Sequence, residues 1–133
     1  MMPNLISVDV MARKVLIADD EPNIVTSLEF LMESNGYETL IARNGEEVLT
    51  QVIAEKPDLI LLDIMLPLKD GFEACREIRA NPEWRDIRII MVTARGRDSE
   101  IQKGLSLGAN AYITKPFSPK ELVAHVRRLL GDE

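Results

Sequence analysis

The sequence contains one cysteine, Cys75, in 133 residues, so no internal disulfide can form and the composition fits a reducing compartment. Basic residues are in the minority, with 16 Lys plus Arg against 22 Asp plus Glu, a formal charge of −6. Binding to nucleic acid or to an anionic membrane surface rests on neutralising negative charge, so neither is expected of this chain by itself. No apolar run approaches the roughly 20 residues of a membrane span. The opening residues, 1–10, lack the basic region and continuous apolar core of a signal peptide, and a cytoplasmic location is expected. No Gly-rich loop follows an apolar run, which disfavours a nucleotide-phosphate cradle. Hydrophobic residues make up 46% and charged residues 29%, the balance of one globular domain that needs no disulfide or metal to fold.

Four short apolar runs stand out at 15–18, 59–62, 89–92 and 111–114, with a weaker fifth at Glu38–Ala42. They are rich in Ile, Leu and Val and apolar on both faces, as parallel strands covered on both sides must be. Helical spacing fills the gaps. Ile24, Leu28 and Leu31 follow one face after Pro22, and Gly36 stops the pattern. Further helices are predicted at 46–55, 72–80 and 99–107. A last one is opened by Ser118-Pro119-Lys120-Glu121, a capping box with proline in the first turn, and carries Leu122, Val126 and Leu129. Alternating strands and helices predict five βα units and a doubly wound parallel sheet, for which 2-1-3-4-5 is one of two common strand orders. Residues 1–12 precede the first strand and are expected to be a disordered tail, with Met11 a candidate start; residues 13–131 form the domain.

Ligands of open α/β sheets bind beyond the carboxyl ends of the strands. Here the first strand runs into Asp19, Asp20 and Glu21, the third into Asp63, the fourth into Thr93 and the fifth into Lys115. Carboxylates gathered this closely require a cation or must stay protonated. A hard divalent ion meets that need, and Mg²⁺ suits a site with few carboxylates better than Ca²⁺ does. An acidic run at one strand end is usually a solvated turn, but matching polar residues at four strand ends are not explained that way. Such a set can carry phosphoryl transfer to a carboxylate nucleophile, with Lys and Thr stabilising the transferred oxygens.

These motifs, Val15-Leu16-Ile17-Ala18-Asp19-Asp20-Glu21, Leu61-Leu62-Asp63-Ile64-Met65-Leu66-Pro67, Val92-Thr93-Ala94 and Thr114-Lys115-Pro116-Phe117, give the chain its resemblance to the receiver domains of bacterial two-component response regulators. The resemblance runs from about Lys14 to Leu130 and implies the CheY-like fold, with strand order 2-1-3-4-5 and helices on both faces. It further implies that Asp63 accepts a phosphoryl group from a sensor histidine kinase. Asp20, Asp63 and the Met65 backbone carbonyl would bind Mg²⁺ directly, and Asp19 through a water. Thr93, the Ala94 backbone N–H and Lys115 would contact the phosphoryl oxygens. Lys115-Pro116 matches the family's cis peptide, and Tyr112 the aromatic residue that moves inward with Thr93.

Departures from the family pattern are local. Leu68 and Lys69 replace the Gly and Met of many relatives, while Gly71 is retained for the turn before the third helix. Met65 and Arg95 occupy the two positions that flank the phosphoryl group and influence its lifetime. On the face formed by the fourth helix, fifth strand and fifth helix, only Glu121 clearly matches the charge pairs of DNA-binding relatives that dimerise there. Ile101, Ala111 and His125 replace the others, which predicts a more apolar partner face of Ile101, Ala111, Tyr112, Glu121 and His125. His125 itself reads as a solvated side chain, Cys75 as helix packing and Trp84 as a local anchor in the exposed loop 81–88. The resemblance leaves a downstream protein, a phosphotransfer protein or an attached DNA-binding domain as outputs, and a monomer or a phosphorylation-dependent dimer as the assembly. A Mg²⁺-dependent phosphohydrolase with an aspartate nucleophile is the rival reading; its Asp-x-Asp motif belongs on the first strand, whereas the isolated Asp63 ends the third. A degenerate scaffold is disfavoured by the complete acid, Thr and Lys set.

Overall fold

The computed structural model describes residues 12–94 and 97–132. Five parallel strands, β1 (Lys14–Ala18), β2 (Glu38–Ala42), β3 (Leu59–Asp63), β4 (Arg88–Ala94) and β5 (Ala111–Lys115), form one sheet in the order β2-β1-β3-β4-β5. The crossovers are α1 (Pro22–Ser34), α2 (Gly45–Glu55), α3 (Gly71–Ala80), α4 (Asp98–Ser106) and, after β5, α5 (Pro119–Leu130). All five predicted strands and helices are present, most shifted by a residue or two at their ends. The tail expected at 1–12 lies, but for Ala12, outside the described residues, as does Arg95.

Strand alternation divides the core into two layers. Leu16, Ile60, Leu62 and Met91 point to one side, where Val48 and Val52 of α2 and Phe72, Cys75 and Ile78 of α3 cover them. Val15, Ile17, Leu61 and Val92 point to the other, under Val25, Leu28 and Met32 of α1 and Leu122, Val126 and Leu130 of α5. The central strand β3 is buried along its whole length, whereas the edge strand β2 is only partly covered, which is why its apolar signal is weak. Helix starts follow local chemistry. The side chains of Asn44, Asp70 and Ser118 each accept a hydrogen bond from the backbone N–H three residues on, and Pro22 and Pro119 sit in first turns.

Several predictions need refinement. Gly71 has no left-handed backbone and opens α3; its requirement is close approach, since a Cβ there would lie 2.5 Å from the Asp63 carbonyl oxygen. Gly45 makes a similar approach to the Lys69 carbonyl, which the sequence did not flag. Leu68 does adopt a left-handed conformation, φ +69°, at the position where the resemblance leads one to expect glycine. Trp84 ends a short 3₁₀ turn, Pro82–Trp84, and packs against the α2–α3 side of the core. Ala111, assigned to an exposed apolar face, is 8% exposed and belongs to the core, because its Cβ falls on the α1–α5 side of the edge strand β5. His125 is half-buried, and its Nδ1 lies 2.8 Å from an Arg128 guanidinium nitrogen, so it is not a freely solvated ring.

Candidate functional site

The parallel register brings the carboxyl ends of β1, β3, β4 and β5 to one rim. Ala18 pairs with Leu62, Asp63 with Val92, Thr93 with Thr114 and Ala94 with Lys115. Asp63 is therefore the last residue of the central strand, flanked by the Asp19-Asp20 pair just beyond β1 and by Thr93 of β4. Asp19, Asp63 and Thr93, at 2%, 6% and 2% exposure, are the buried polar residues among those described. Asp20 is exposed. A carboxylate oxygen from each of Asp19, Asp20 and Asp63 lies within 4.8 Å of the others.

Each buried oxygen has a partner. Asp19 Oδ1 accepts from the Glu21 backbone N–H at 2.9 Å, and Asp63 Oδ1 accepts from the Met65 backbone N–H at 3.1 Å. The Lys115 ammonium donates to Asp19 Oδ2 at 3.0 Å and to Asp63 Oδ2 at 3.2 Å, and approaches Glu21 at 3.7 Å. Among the described residues no buried side-chain nitrogen or oxygen lacks a hydrogen-bond partner. One ammonium thus spans two carboxylates, a compact arrangement that leaves the acidic cluster with net negative charge.

Burial pushes the Asp63 carboxyl above its usual range; the Met65 N–H and the Lys115 charge oppose this, and the Asp19 charge adds to it. Burial pulls the other way on Lys115, but its bonds to Asp19 and the charge of Asp63 outweigh burial, so its ammonium is held above the ordinary value. The site therefore holds a strongly charged lysine beside a carboxylate that is ionised at some cost, a combination suited to an attacking oxygen and an electrostatic partner.

Three carboxylates within this distance, with oxygen donors only, fit a hard divalent cation of the Mg²⁺ class. Beside them runs a cleft of about 550 Å³, lined by Asp20, Met65, Asp70, Phe72, Glu100 and Lys103 among others. The structure thus brings together Asp19, Asp20, Asp63, the Met65 backbone and Lys115. It does not turn the Thr93 hydroxyl to Asp63. Thr93 Oγ1 donates instead to Glu100 Oε1 on α4 at 3.0 Å, a partner missed in the sequence. Glu100, in a first helical turn, carries only the generic signal of an acid that complements a helix dipole.

On the α4–β5–α5 face, Tyr112 is turned outward at 41% exposure. A groove of about 530 Å³ is lined there by Leu105, Tyr112, Ile113, Thr114, Glu121 and His125. Ala111, though largely buried, also lines this groove, and Leu105, exposed and absent from the predicted face, adds a second apolar side chain there. The Lys115-Pro116 peptide is cis, as the resemblance implied. Cys75 is buried, and burial raises its thiol pKa, in keeping with a packing role. Among the described residues no helix is long and apolar enough to cross a membrane.

Comparison with known proteins agrees with this geometry. The family model described as the response regulator receiver domain matches residues 15–127. The alkaline phosphatase synthesis transcriptional regulatory protein PhoP of Bacillus subtilis (strain 168) is 45% identical over 120 residues, covering 90% of this chain and 49% of PhoP. The chain thus spans about half the length of that relative. A candidate response regulator structure from Chloroflexus aurantiacus superposes with a TM-score of 0.87 at 38% identity, covering 90% of this chain and 98% of the other. The receiver domain of the sensor histidine kinase PA1611 from Pseudomonas aeruginosa, described with a magnesium ion coordinated in its active site cleft, gives 0.83 at 32% identity, covering 90% and 98%.

Proposed function

The chain belongs to the receiver domain family of two-component response regulators, and from that premise we propose that Asp63 is its phosphoacceptor and that the α4–β5–α5 face carries the signal outward. The observation that carries this is the Asp63 carboxylate at the end of the central strand, 3.2 Å from the Lys115 ammonium and beside the carboxylates of Asp19 and Asp20. The donor is a phosphohistidine on a sensor kinase. An Asp63 carboxylate oxygen attacks phosphorus, the phosphorus–nitrogen bond breaks, and the histidine leaves as imidazole with a proton from solvent. Lys115 is already within reach of the attacked group and neutralises an oxygen of the incoming phosphoryl. The Thr93 hydroxyl and the Ala94 backbone N–H supply the remaining donors.

The donor set of this site fits Mg²⁺, which Asp20, Asp63 and the Met65 carbonyl would hold directly and Asp19 would hold through a water. When bound, it supplies positive charge that offsets the repulsion of the carboxylates and stabilises the transferred oxygens. The chain has no substrate of its own in this reading; it assists its own phosphorylation and hydrolysis.

Phosphorylation shifts the population towards a state with Thr93 turned to the phosphoryl group and Tyr112 moved inward. The groove around Leu105 and Tyr112 then changes shape and engages a downstream protein, a phosphotransfer protein or a second copy of the chain, in the cytoplasm. PhoP is a transcriptional regulatory protein; an attached output domain of that kind would read the same face.

The test is intact mass after incubation with acetyl phosphate. The wild type gains one phosphoryl group when Mg²⁺ is present and none when it is chelated, and Asp63→Asn gains none in either case. An unmodified wild type, or a modified Asp63→Asn protein, overturns the assignment.

A further inference from the structure

We propose that Glu100 is an inhibitory latch, a positioning residue that sequesters the Thr93 hydroxyl and ties the first turn of α4 to β4 until the site is phosphorylated. The inference rests on reading Asp63 as the phosphoacceptor. A threonine hydroxyl has one proton to donate. Here it goes to Glu100 Oε1 at 3.0 Å, while the Ala94 carbonyl, at 3.4 Å, is the weaker alternative. A bond from a hydroxyl to a carboxylate is charge-assisted and stronger than a neutral one. Thr93 is buried, so bulk water competes little for that proton.

The same contact restrains α4. Arg97, in the N-cap position, makes no side-chain capping bond, so the helix start has no cap of its own. The Arg97 guanidinium instead reaches Glu100 Oε2 at 3.8 Å, which orients the carboxylate from its exposed side. Glu100 therefore joins three things: the Thr93 proton, the uncapped start of α4, and the cleft it lines with Asp20 and Met65. A phosphoryl group on Asp63 needs the Thr93 proton for itself. The two acceptors are mutually exclusive, because one proton cannot serve both. When the phosphoryl group takes it, the start of α4 loses this tie to the sheet, and Ile101 and Leu105 on that helix gain freedom at the partner face.

A binding site whose competent state is only partly populated shows an affinity reduced by that fraction. Removing the latch should therefore tighten binding of the phosphoryl mimic beryllofluoride, at saturating Mg²⁺. Glu100→Ala is expected to lower its apparent Kd about fivefold, the scale of one partly exposed charge-assisted bond, with Glu100→Gln in between because it keeps an acceptor without the charge. Removing a negative charge near an anionic ligand also tightens binding, so the decisive comparison is in a Thr93→Val background. There the gain from Glu100→Ala should fall below about twofold, since no hydroxyl remains to be released. A second readout needs neither metal nor mimic: the Thr93 methyl resonance of the free protein should move on Glu100→Ala as the side chain leaves its latched rotamer.

Equal gains with and without the Thr93 hydroxyl, or no gain in either, overturn the latch. So does a Thr93 methyl resonance that is indifferent to Glu100→Ala. Failure of every variant, wild type included, to bind beryllofluoride would instead contradict Asp63 as phosphoacceptor, and the methyl resonance would still decide whether Glu100 holds Thr93.

Discussion

Gly71→Ala tests how tightly the start of α3 is built against the phosphoacceptor strand. A Cβ at position 71 would lie 2.5 Å from the Asp63 carbonyl oxygen and 2.8 Å from the Ile64 Cα, both backbone atoms. Since Cβ contacts below 3.0 Å are essentially never seen, the two segments must part by at least about half an ångström (3.0 minus 2.5). The Gly71 N–H also donates to the Ile64 carbonyl at 2.9 Å, and that bond would stretch with the same movement. Overpacking of this kind costs about 1–3 kcal/mol, and a weakened backbone bond adds to it. Alanine returns at most about 1 kcal/mol of helix propensity, and less at the first helical position. The net expectation is a loss of about 1–3 kcal/mol, read as a lower urea midpoint at unchanged slope. Gly104→Ala is the internal control. Its Cβ would meet only the Met91 side chain, at 3.0 Å, which can rotate aside, so α4 should tolerate it within about 1 kcal/mol. Gly71→Ala as stable as wild type would refute the close-approach reasoning.

Three further outcomes follow from the same structure. Because burial raises the Asp63 pKa, the folded state holds that proton more tightly than the unfolded state. The stability associated with this group is complete below the ordinary carboxylate pKa of about 4 and is lost as pH rises through the raised folded value. In metal-free buffer Asp63→Asn should therefore be the more stable protein at neutral pH, with the difference disappearing on acidification; an equal difference at all pH values would contradict this. Tyr37, whose hydroxyl donates to Asp132 Oδ2 at 2.9 Å, has its pKa pushed up to about 12 by burial and by that carboxylate. Ultraviolet titration should resolve a tyrosine ionising there, and the stability it represents should fall between about pH 10 and 12 and be absent from Tyr37→Phe. Leu68→Gly should raise stability by about 0.5–1 kcal/mol in thermal denaturation, since relief of a left-handed leucine outweighs the added chain entropy. A loss on that substitution would mean that the exposed Leu68 side chain makes contacts that matter.

Legibility in the sequence followed the range of the interactions. The strands β1, β3 and β4 are buried on both faces, so their apolar runs were visible, and parallel topology then dictated that Asp19, Asp20, Asp63, Thr93 and Lys115 share a rim. Sequence alone marks a residue type at a strand end, not the hydrogen-bond partner its side chain selects. Thr93 was found but its bond to Glu100 was not, because the two meet only once α4 is laid over the end of β4. The same holds for Arg79, whose guanidinium reaches the Gly108 carbonyl, the Trp84 carbonyl and the Asn110 side chain. Asn110 Oδ1 in turn accepts from the Ile89 N–H, fixing the turn before β5. Gly71 reads as an ordinary turn glycine and Gly45 carries no signal of its own, whereas what both require is space for a neighbouring backbone. Ala111 is read as an exposed partner-face residue; strand alternation puts most of it in the core, and only its remaining surface lines the groove beside Tyr112.

Asp63 is the end of a fully buried strand, and its carboxylate shares the single Lys115 ammonium with Asp19. Under the proposed function, an acyl phosphate on Asp63 would draw Lys115 and the Thr93 hydroxyl towards it, and the bond from Thr93 to Glu100 on α4 would be given up.

The central claim is chemical, that Asp63 forms an acyl phosphate. Borohydride reduces an aspartyl phosphate to homoserine and leaves a free carboxylate untouched. Treating the Mg²⁺- and acetyl phosphate-loaded protein with borohydride, followed by peptide mapping, should place homoserine at residue 63 and nowhere else. Homoserine at Asp19 or Asp20, or an unreduced Asp63 in protein that carries the phosphoryl mass, would contradict the account.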